Sequence, residues 1–374
     1  MGHARPFDMA DSRPARPAET AAALRAGDKL LGLEVLRLLS ALAVLFYHYR
    51  HFAHMAGMAA VDRAAVPGYG MLWPFYEYGQ FGVQVFWGIS GYIFFWKYGQ
   101  AIHHGAVRTK EFFWLRFSRL YPLHVLTLVA VVGLQAVHRS TTGEDFIYPA
   151  SEASMLVAQL FLATDWGPAQ PFSFNGPIWS ISAEVAVYAA FFIILRRFPP
   201  TIKLCVGVIA FSLAAQIAGL GWVSISCAAY FFAGGLAAFA PPGKYGWAVA
   251  GLATLLMLSL AGGMLGNRSK LPMLIMAAVP LVLVVAARDW PLLGRAAPAI
   301  RAAGNLTYSS YLLHFPLQLM LAIAVASTAL RPSLANPLFL AAYIAATLLA
   351  AMISYRWIEM PAQQWIRGKA LRRA

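Results

Sequence analysis

Apolar residues run along this chain in blocks of about twenty, each closed by glycine, proline or charge, which is the length a helix needs to cross a bilayer. Ten such blocks are predicted to be helices: 30–49, 80–97, 120–138, 178–196, 203–220, 222–240, 246–265, 271–288, 305–329 and 336–356. Only "GW" parts the fifth from the sixth, which requires a very tight turn or a tilted helix there. The expected fold class is all-α, a polytopic membrane protein of about ten transmembrane helices. The helical domain is expected over residues 30–361. Residues 1–29, rich in proline, alanine and arginine and without apolar periodicity, are expected to form a disordered tail. They lack the charged-apolar-cleavage order of a signal peptide, so the block from Leu30 is expected to be retained as the first span. Residues 362–374 read as a basic tail.

Composition agrees with a membrane setting. Of 374 residues 60% are hydrophobic and 12% charged, about half the charged fraction of a soluble domain, and mean hydropathy is +0.61. Cys205 and Cys227 both lie in apolar blocks, which supports neither a disulfide framework nor a thiolate metal site. The net charge of +14 is spread in short basic runs between the blocks, a placement that orients helices in a membrane and speaks against nucleic-acid binding. With the N-terminus inside, 22 of the 29 basic residues fall on the inner side and six on the outer, leaving Arg37 within a span. Both termini are therefore expected in the cytoplasm, with an even number of spans.

Polar groups inside the blocks are costly in lipid and carry the chemical information. "LRLLSALAVLFYHYRH" places Arg37 early in the first block and His48 eleven positions later. Eleven steps of about 100° return to within roughly 20° of the same helix face, about 16 Å further across. The structural reading is a snorkelling arginine, or one paired with Glu34 a turn earlier, together with an interfacial histidine between belt tyrosines. The functional reading is a polar track on one face. "GVQVFWGISGYIFFW" brings Gly88, Ser90 and Gly91, small residues that permit close approach of a neighbouring helix or of a ligand. "EFFWLRFSRLYP" sets Arg116 and Arg119 on one side of a helix entering from the inner face, where they serve orientation or clamp phosphates. "GPIWSISAEVAVYA" buries Glu184, an intramembrane carboxylate and so a functional candidate. "GNLTYSSYLLHFPL" and "SYRWIEMP" supply Tyr308, Tyr311, His314 and Glu359. The nine histidines show no metal-ligand spacing within the spans.

Taken in this order, Arg37-x10-His48, the "GVxxFxxxSGY" segment from Gly82 to Tyr92, Arg116/Arg119 before "LYP", "IWSISAE" ending at Glu184, "GNLTYSSYLLHFPL" and "SYRWIEMP" resemble acyltransferase family 3. These are integral-membrane acyltransferases that O-acetylate bacterial cell-surface carbohydrates. The resemblance runs from about Gly32 to Pro361. Three positions depart from the family pattern: Gln84 stands where relatives often carry an acid, "VAVY" follows Glu184 where many have "EQFY", and Met360 replaces an arginine. They bear on acceptor identity and subfamily.

The resemblance implies a cytoplasmic acyl-coenzyme A donor, acetyl-coenzyme A in the first instance, and a carbohydrate or glycolipid hydroxyl as acceptor, at the bacterial inner membrane. Arg116, Arg119 and Arg37 would hold the phosphates, with the pantetheine arm passing Gly88, Ser90 and Gly91. His48 would take the proton of the attacking hydroxyl, or form an acyl-imidazole, and Glu184 would orient it as the acid of a triad does. Tyr308, Tyr311, His314 and Glu359 would contact substrate, and the outer loops around 50–78 and before the fourth span would shape the acceptor choice. No metal is expected. The rival class is a transporter or flippase for a glycan or lipid-linked intermediate, against which stand the missing internal repeat and the absence of paired broken helices. Release of coenzyme A thiol separates the two.

Overall fold

A computed structural model describes residues 30–55, 62–240, 270–288, 290–328, 330 and 332–371. Residues 1–29 and the predicted block 246–265 lie outside the described residues.

The described residues form helices joined by loops and short 3₁₀ turns, with no strand among them. In chain order they are α1 (Leu31–His48), α2 (Tyr69–Tyr78), α3 (Gly82–His103), α4 (Thr109–Thr142), α5 (Ala153–Leu160), α6 (Ile178–Arg197), α7 (Ile202–Ile217), α8 (Val223–Ala238), α9 (Lys270–Ala286), α10 (Ala297–Ser327), α11 (Pro337–Ser354) and α12 (Met360–Leu371). Nine of them answer to predicted blocks. Five helical stretches among the described residues are long and apolar enough to cross a membrane: 31–54, 109–142, 178–197, 291–327 and 337–371. The chain is a membrane protein built of helices.

Three expectations change. The fifth and sixth blocks are two helices as expected, but α7 and α8, of 16 residues each, are parted by the longer link Ala218–Trp222, where Gly219 takes φ +88°, a left-handed conformation glycine adopts without steric cost. α10 begins eight residues earlier than its apolar block, because Pro298 is tolerated in a helix's first turn and the polar run after it still packs inside the bundle. The basic stretch expected as a tail is helical to Leu371: a π-turn at Tyr355–Glu359 links α11 to α12, and α12 lies on α4, where Arg367 Nε donates to Ser118 Oγ at 2.9 Å.

Close approach at glycine sets the packing. A Cβ at Gly91 would lie 1.7 Å from the Phe231 carbonyl oxygen, and one at Gly234 would lie 1.9 Å from that of Gly88. α3 and α8 thus run backbone against backbone, as small residues allow where helices associate in lipid. Gly88 and Gly91 are spent on this contact, so of the three small residues expected beside the donor only Ser90 faces open space. α1 meets α10 in the same way: a Cβ at Gly304 would fall 1.8 Å from Glu34 Oε2. Since Glu34 meets Gly304, Arg37 meets Thr307 and His48 meets His314, α1 and α10 run parallel.

Gly91→Ala is expected to lower unfolding free energy in detergent by about 1–3 kcal/mol, the range for forcing extra atoms into a packed interior. Gly207→Ala, on an open face of α7 where a new Cβ meets nothing within 4 Å, is expected to be neutral or stabilising. Equal effects of the two in a thermal melt would refute this account of the α3–α8 contact.

Candidate active site

Arg37 sits one turn after Glu34 on α1, and the two pair at 3.3 Å. The guanidinium reaches further, its Nη2 donating to Thr307 Oγ1 on α10 at 3.1 Å. The local ion pair and a contact across helices therefore coexist, which satisfies a cation that lipid does not solvate. Arg37 lines a cavity of about 900 Å³ enclosed by α1, α3, α4, α6, α10 and α12. Its basic lining is Arg37, Lys97, Arg108, Arg116, Arg119 and Arg367, against Glu34, Glu111 and Glu184. A volume of this order suits a large cofactor-sized ligand.

Arg116 is held within the cavity by aromatic faces. Its guanidinium lies 5.0 Å from the Phe94 ring centre and 5.3 Å from that of Tyr98, while Nη2 donates to the Tyr98 hydroxyl at 3.0 Å. Its buried Nε has no partner, so a fixed cation retains a donor for an anion. Glu184 accepts from the Tyr188 hydroxyl at 2.6 Å and from Ser90, with Arg37 and Arg116 as its nearest opposite charges. Ser90 and Arg119 line the same space. The deep end is closed by Trp87, Ser180 and Tyr311.

Tyr308 and Tyr311 also line the cavity, but their hydroxyls are engaged. Tyr308 donates to the Leu120 carbonyl at 2.6 Å, and Tyr311 to the Pro177 carbonyl at 3.0 Å while sharing a 2.7 Å bond with Ser180. Glu359 is buried on the π-turn against the Ser309 hydroxyl and does not line the cavity. In this structure it ties α10 to α12's base and is not in position to touch a ligand there.

His48 lies beyond the deep end. It is the last residue of α1, and its ring centre is 4.8 Å from that of His314 and 4.8 Å from that of His51. Its Nδ1 is 2.8 Å from the Val44 carbonyl, and His314 Nδ1 is 2.6 Å from the Tyr311 carbonyl. A carbonyl only accepts, so in each neutral ring Nδ1 carries the proton and Nε2 holds the basic lone pair. His314 Nε2 is buried and has no partner. Gln318, one turn after His314, closes the cluster. Its Nε2 donates to the His48 carbonyl at 2.9 Å, an oxygen left over at the helix end, and to the Tyr343 hydroxyl at 3.1 Å. Its Oε1 must then accept from His51 Nδ1 at 3.0 Å. Among the described residues no group of three or more His, Cys, Asp or Glu is arranged to hold a metal ion.

The structure thus brings Arg37, Ser90, Arg116, Arg119, Glu184, Tyr308 and Tyr311 around one cavity, and His48 and His314 together just past it. It does not join Glu184 to His48: the carboxylate bonds Tyr188 and Ser90, and the imidazole bonds Val44 and packs on histidines. The expected acid–histidine pair is not formed, because the carboxylate faces the arginines.

Residues 30–356 match the model of the acyltransferase domain family, acyltransferase family 3. The chain belongs to this family. Over 128 residues it is 32% identical to acyltransferase MdmB of Streptomyces mycarofaciens, a match spanning 32% of this chain and 30% of that protein. The chain therefore matches less than a third of that relative's length. No solved structure matches. Within the family frame, the arginine and histidine of Arg37-x10-His48 both face α10, as the helical period predicts.

Sequence reasoning missed Thr307, Gln318, His51, Tyr188 and Arg367. Two had a readable signal: His51 follows His48 by three positions and Gln318 follows His314 by four, both same-face helical spacings. Gln318→Leu removes partners from the His48 carbonyl, His51 and Tyr343 at once. It is expected to cost about 2–4 kcal/mol, given about 1–3 kcal/mol for each buried polar group left unpaired, readable by unfolding in mixed micelles; a change under about 0.5 kcal/mol would mean that these bonds are not made.

Proposed function

We propose that this enzyme moves an acyl group, acetyl in the first instance, from cytoplasmic acyl-coenzyme A to a hydroxyl of a carbohydrate or glycolipid acceptor at the bacterial inner membrane. The observation that carries the reading is the run of a basic cavity up to Tyr311, whose own carbonyl orients His314 against His48. The donor's phosphates are anionic and belong with Arg116, Arg119, Arg37 and Arg367; its arm passes Ser90 and Glu184; its thioester carbonyl reaches the histidines when the Tyr311 side chain turns away from Ser180.

There His48 Nε2 accepts the proton of the attacking hydroxyl while its oxygen bonds the thioester carbon. Collapse of the tetrahedral species breaks the carbon–sulfur bond, and the proton passes to the departing thiolate, giving coenzyme A thiol and an ester. His314 Nε2, buried beside His48 and without a partner, accepts from a second hydroxyl of the acceptor and so positions it. Glu184 serves the donor cavity, balancing the arginines, rather than the imidazole.

Ten spans with both termini cytoplasmic fit this reading. Parallel α1 and α10 need an odd number of crossings between them, and the ten-block reading of the sequence has seven there. On this reading Arg108, Arg367 and the start of α1 lie on the cytoplasmic side, where the donor is made.

His48→Ala is expected to insert and fold yet lose acyl transfer by at least about a hundredfold, the scale of one general base. Thiol release and product mass in reconstituted vesicles check this, and retained turnover removes His48 from the chemistry. Arg116→Ala and Arg37→Ala are expected to raise KM for acetyl-coenzyme A by about tenfold or more, as one charge-assisted contact implies; an unchanged KM returns these arginines to orientation alone.

A further inference from the structure

A second, smaller opening of about 420 Å³ is lined by Arg50, His51, His54 and Ile147, and shares no residue with the basic cavity. We infer that it is the port through which the acceptor enters, and that it admits hydroxyl compounds bearing an anionic group: a carboxylate, phosphate or sulfate close to the reacting hydroxyl. What the port admits rests on the acyl-transfer reading; its existence and its charge preference do not.

Three observations carry this. The first is position. His51 is buried, lines the port and stands in ring contact with His48, so the port reaches the histidine cluster at His51. The two openings thus meet the cluster at different residues, His51 for one and Tyr311 with His314 for the other. Two substrates of opposite origin need such separate approaches.

The second is a fixed cation at the mouth. The Arg50 guanidinium lies 3.6 Å from the Tyr47 ring centre and donates to the Tyr47 hydroxyl, which in turn donates to Gln80 Oε1 at 2.7 Å. Among the described residues no carboxylate pairs with Arg50. Its orientation is set by an aromatic face, and among the described residues its charge has no ion-pair partner. Exposed His54 stands beside it as a further donor.

The third is strain in the wall. Ile147 adopts φ +60°, a conformation a β-branched residue rarely takes. The Tyr148 N–H bonds the Phe146 carbonyl at 2.6 Å around it, making a γ-turn of the strained kind. Gln135 of α4 clamps that turn from both sides. It donates to the Phe146 carbonyl at 2.9 Å and the Tyr148 carbonyl at 3.0 Å, and accepts from the Phe146 N–H at 3.0 Å. Such over-determined strain persists where a side chain must be held in place. Here it sets Ile147 in the port wall and the Tyr148 ring 5.7 Å from that of His51.

The test places a thiol at the port and reads its reactivity. Cys205 and Cys227 are both fully buried, so an introduced thiol is the one that reacts. Ile147→Cys and, independently of any strain at that turn, His54→Cys are reconstituted in phosphatidylcholine nanodiscs. Each is treated with an anionic sulfonatoethyl and a cationic trimethylammonioethyl methanethiosulfonate, with rates normalised to a free thiol. The anionic reagent is expected to react about tenfold faster, as one focused charge allows. Arg50→Gln is expected to abolish the preference, and glucuronate to slow labelling where glucose at equal concentration does not. Protection by phosphatidylglycerol but not by glucuronate would make the port a lipid-headgroup site and overturn the acceptor assignment. Thiols unreactive in both variants, or a rate ratio unmoved by Arg50→Gln, would overturn the port itself. If the unmodified enzyme released no thiol from acetyl-coenzyme A, the acyl-transfer reading would fail while the labelling ratio still decided on the port.

Discussion

A permanent cation in an apolar helix has to find its partners within the protein, and the way Arg37 finds them fixes how the two central helices meet. Glu34 supplies one partner from the same face of α1, and Thr307 supplies the other from α10. For that bridge to form, α10 must pass so close to Glu34 that only glycine fits at 304. The parallel alignment that results carries on for three further turns. It delivers His314 to His48 and Gln318 to the carbonyl at the end of α1. The arginine of the basic cavity and the histidines beyond it are thus held by one helix pair.

Around that pair the polar groups divide by charge. Every arginine of the cavity, with Glu184 among them, lies before Tyr311; the histidines lie after it. The separation keeps His48 away from a carboxylate and gives it neighbours that are themselves imidazoles, each with its Nδ1 proton committed. Basic lone pairs on Nε2 are what acyl transfer from a thioester needs on the hydroxyl side, and fixed guanidinium groups are what it needs on the phosphate side.

Much of this was legible in the chain. Block length located nine of the described helices, because the bilayer imposes one length on every span. The interval from Arg37 to His48 put both on one face, because eleven residues nearly complete three turns. What could not be read were relations between helices. The carboxylate of Glu184 and the imidazole of His48 were expected to meet from the family pattern, yet an order of motifs along the chain says nothing about which face each residue presents. Tyr188, four residues after Glu184 on α6, turns the carboxylate toward Ser90 and the arginines. The glycines of α3 were ambiguous between a ligand and a helix for the same reason, and α8 resolves them to packing. The last basic stretch carries too few apolar residues to announce a helix, and it folds because α4 offers Ser118 to Arg367.

The central claim is that one ligand spans the basic cavity and ends at the histidines. It is tested most directly by the cryo-electron-microscopy structure of the protein in nanodiscs with acetonyl-coenzyme A, a thioether ketone that cannot transfer its acyl carbon. The account predicts phosphates in contact with Arg116 and Arg119, and the ketone carbon within about 4 Å of the His48–His314 pair, near the separation at which reacting groups are poised. Phosphates bound at the opposite face of the bundle, or a ketone stopping at Glu184 with Tyr311 still closed above it, would contradict it.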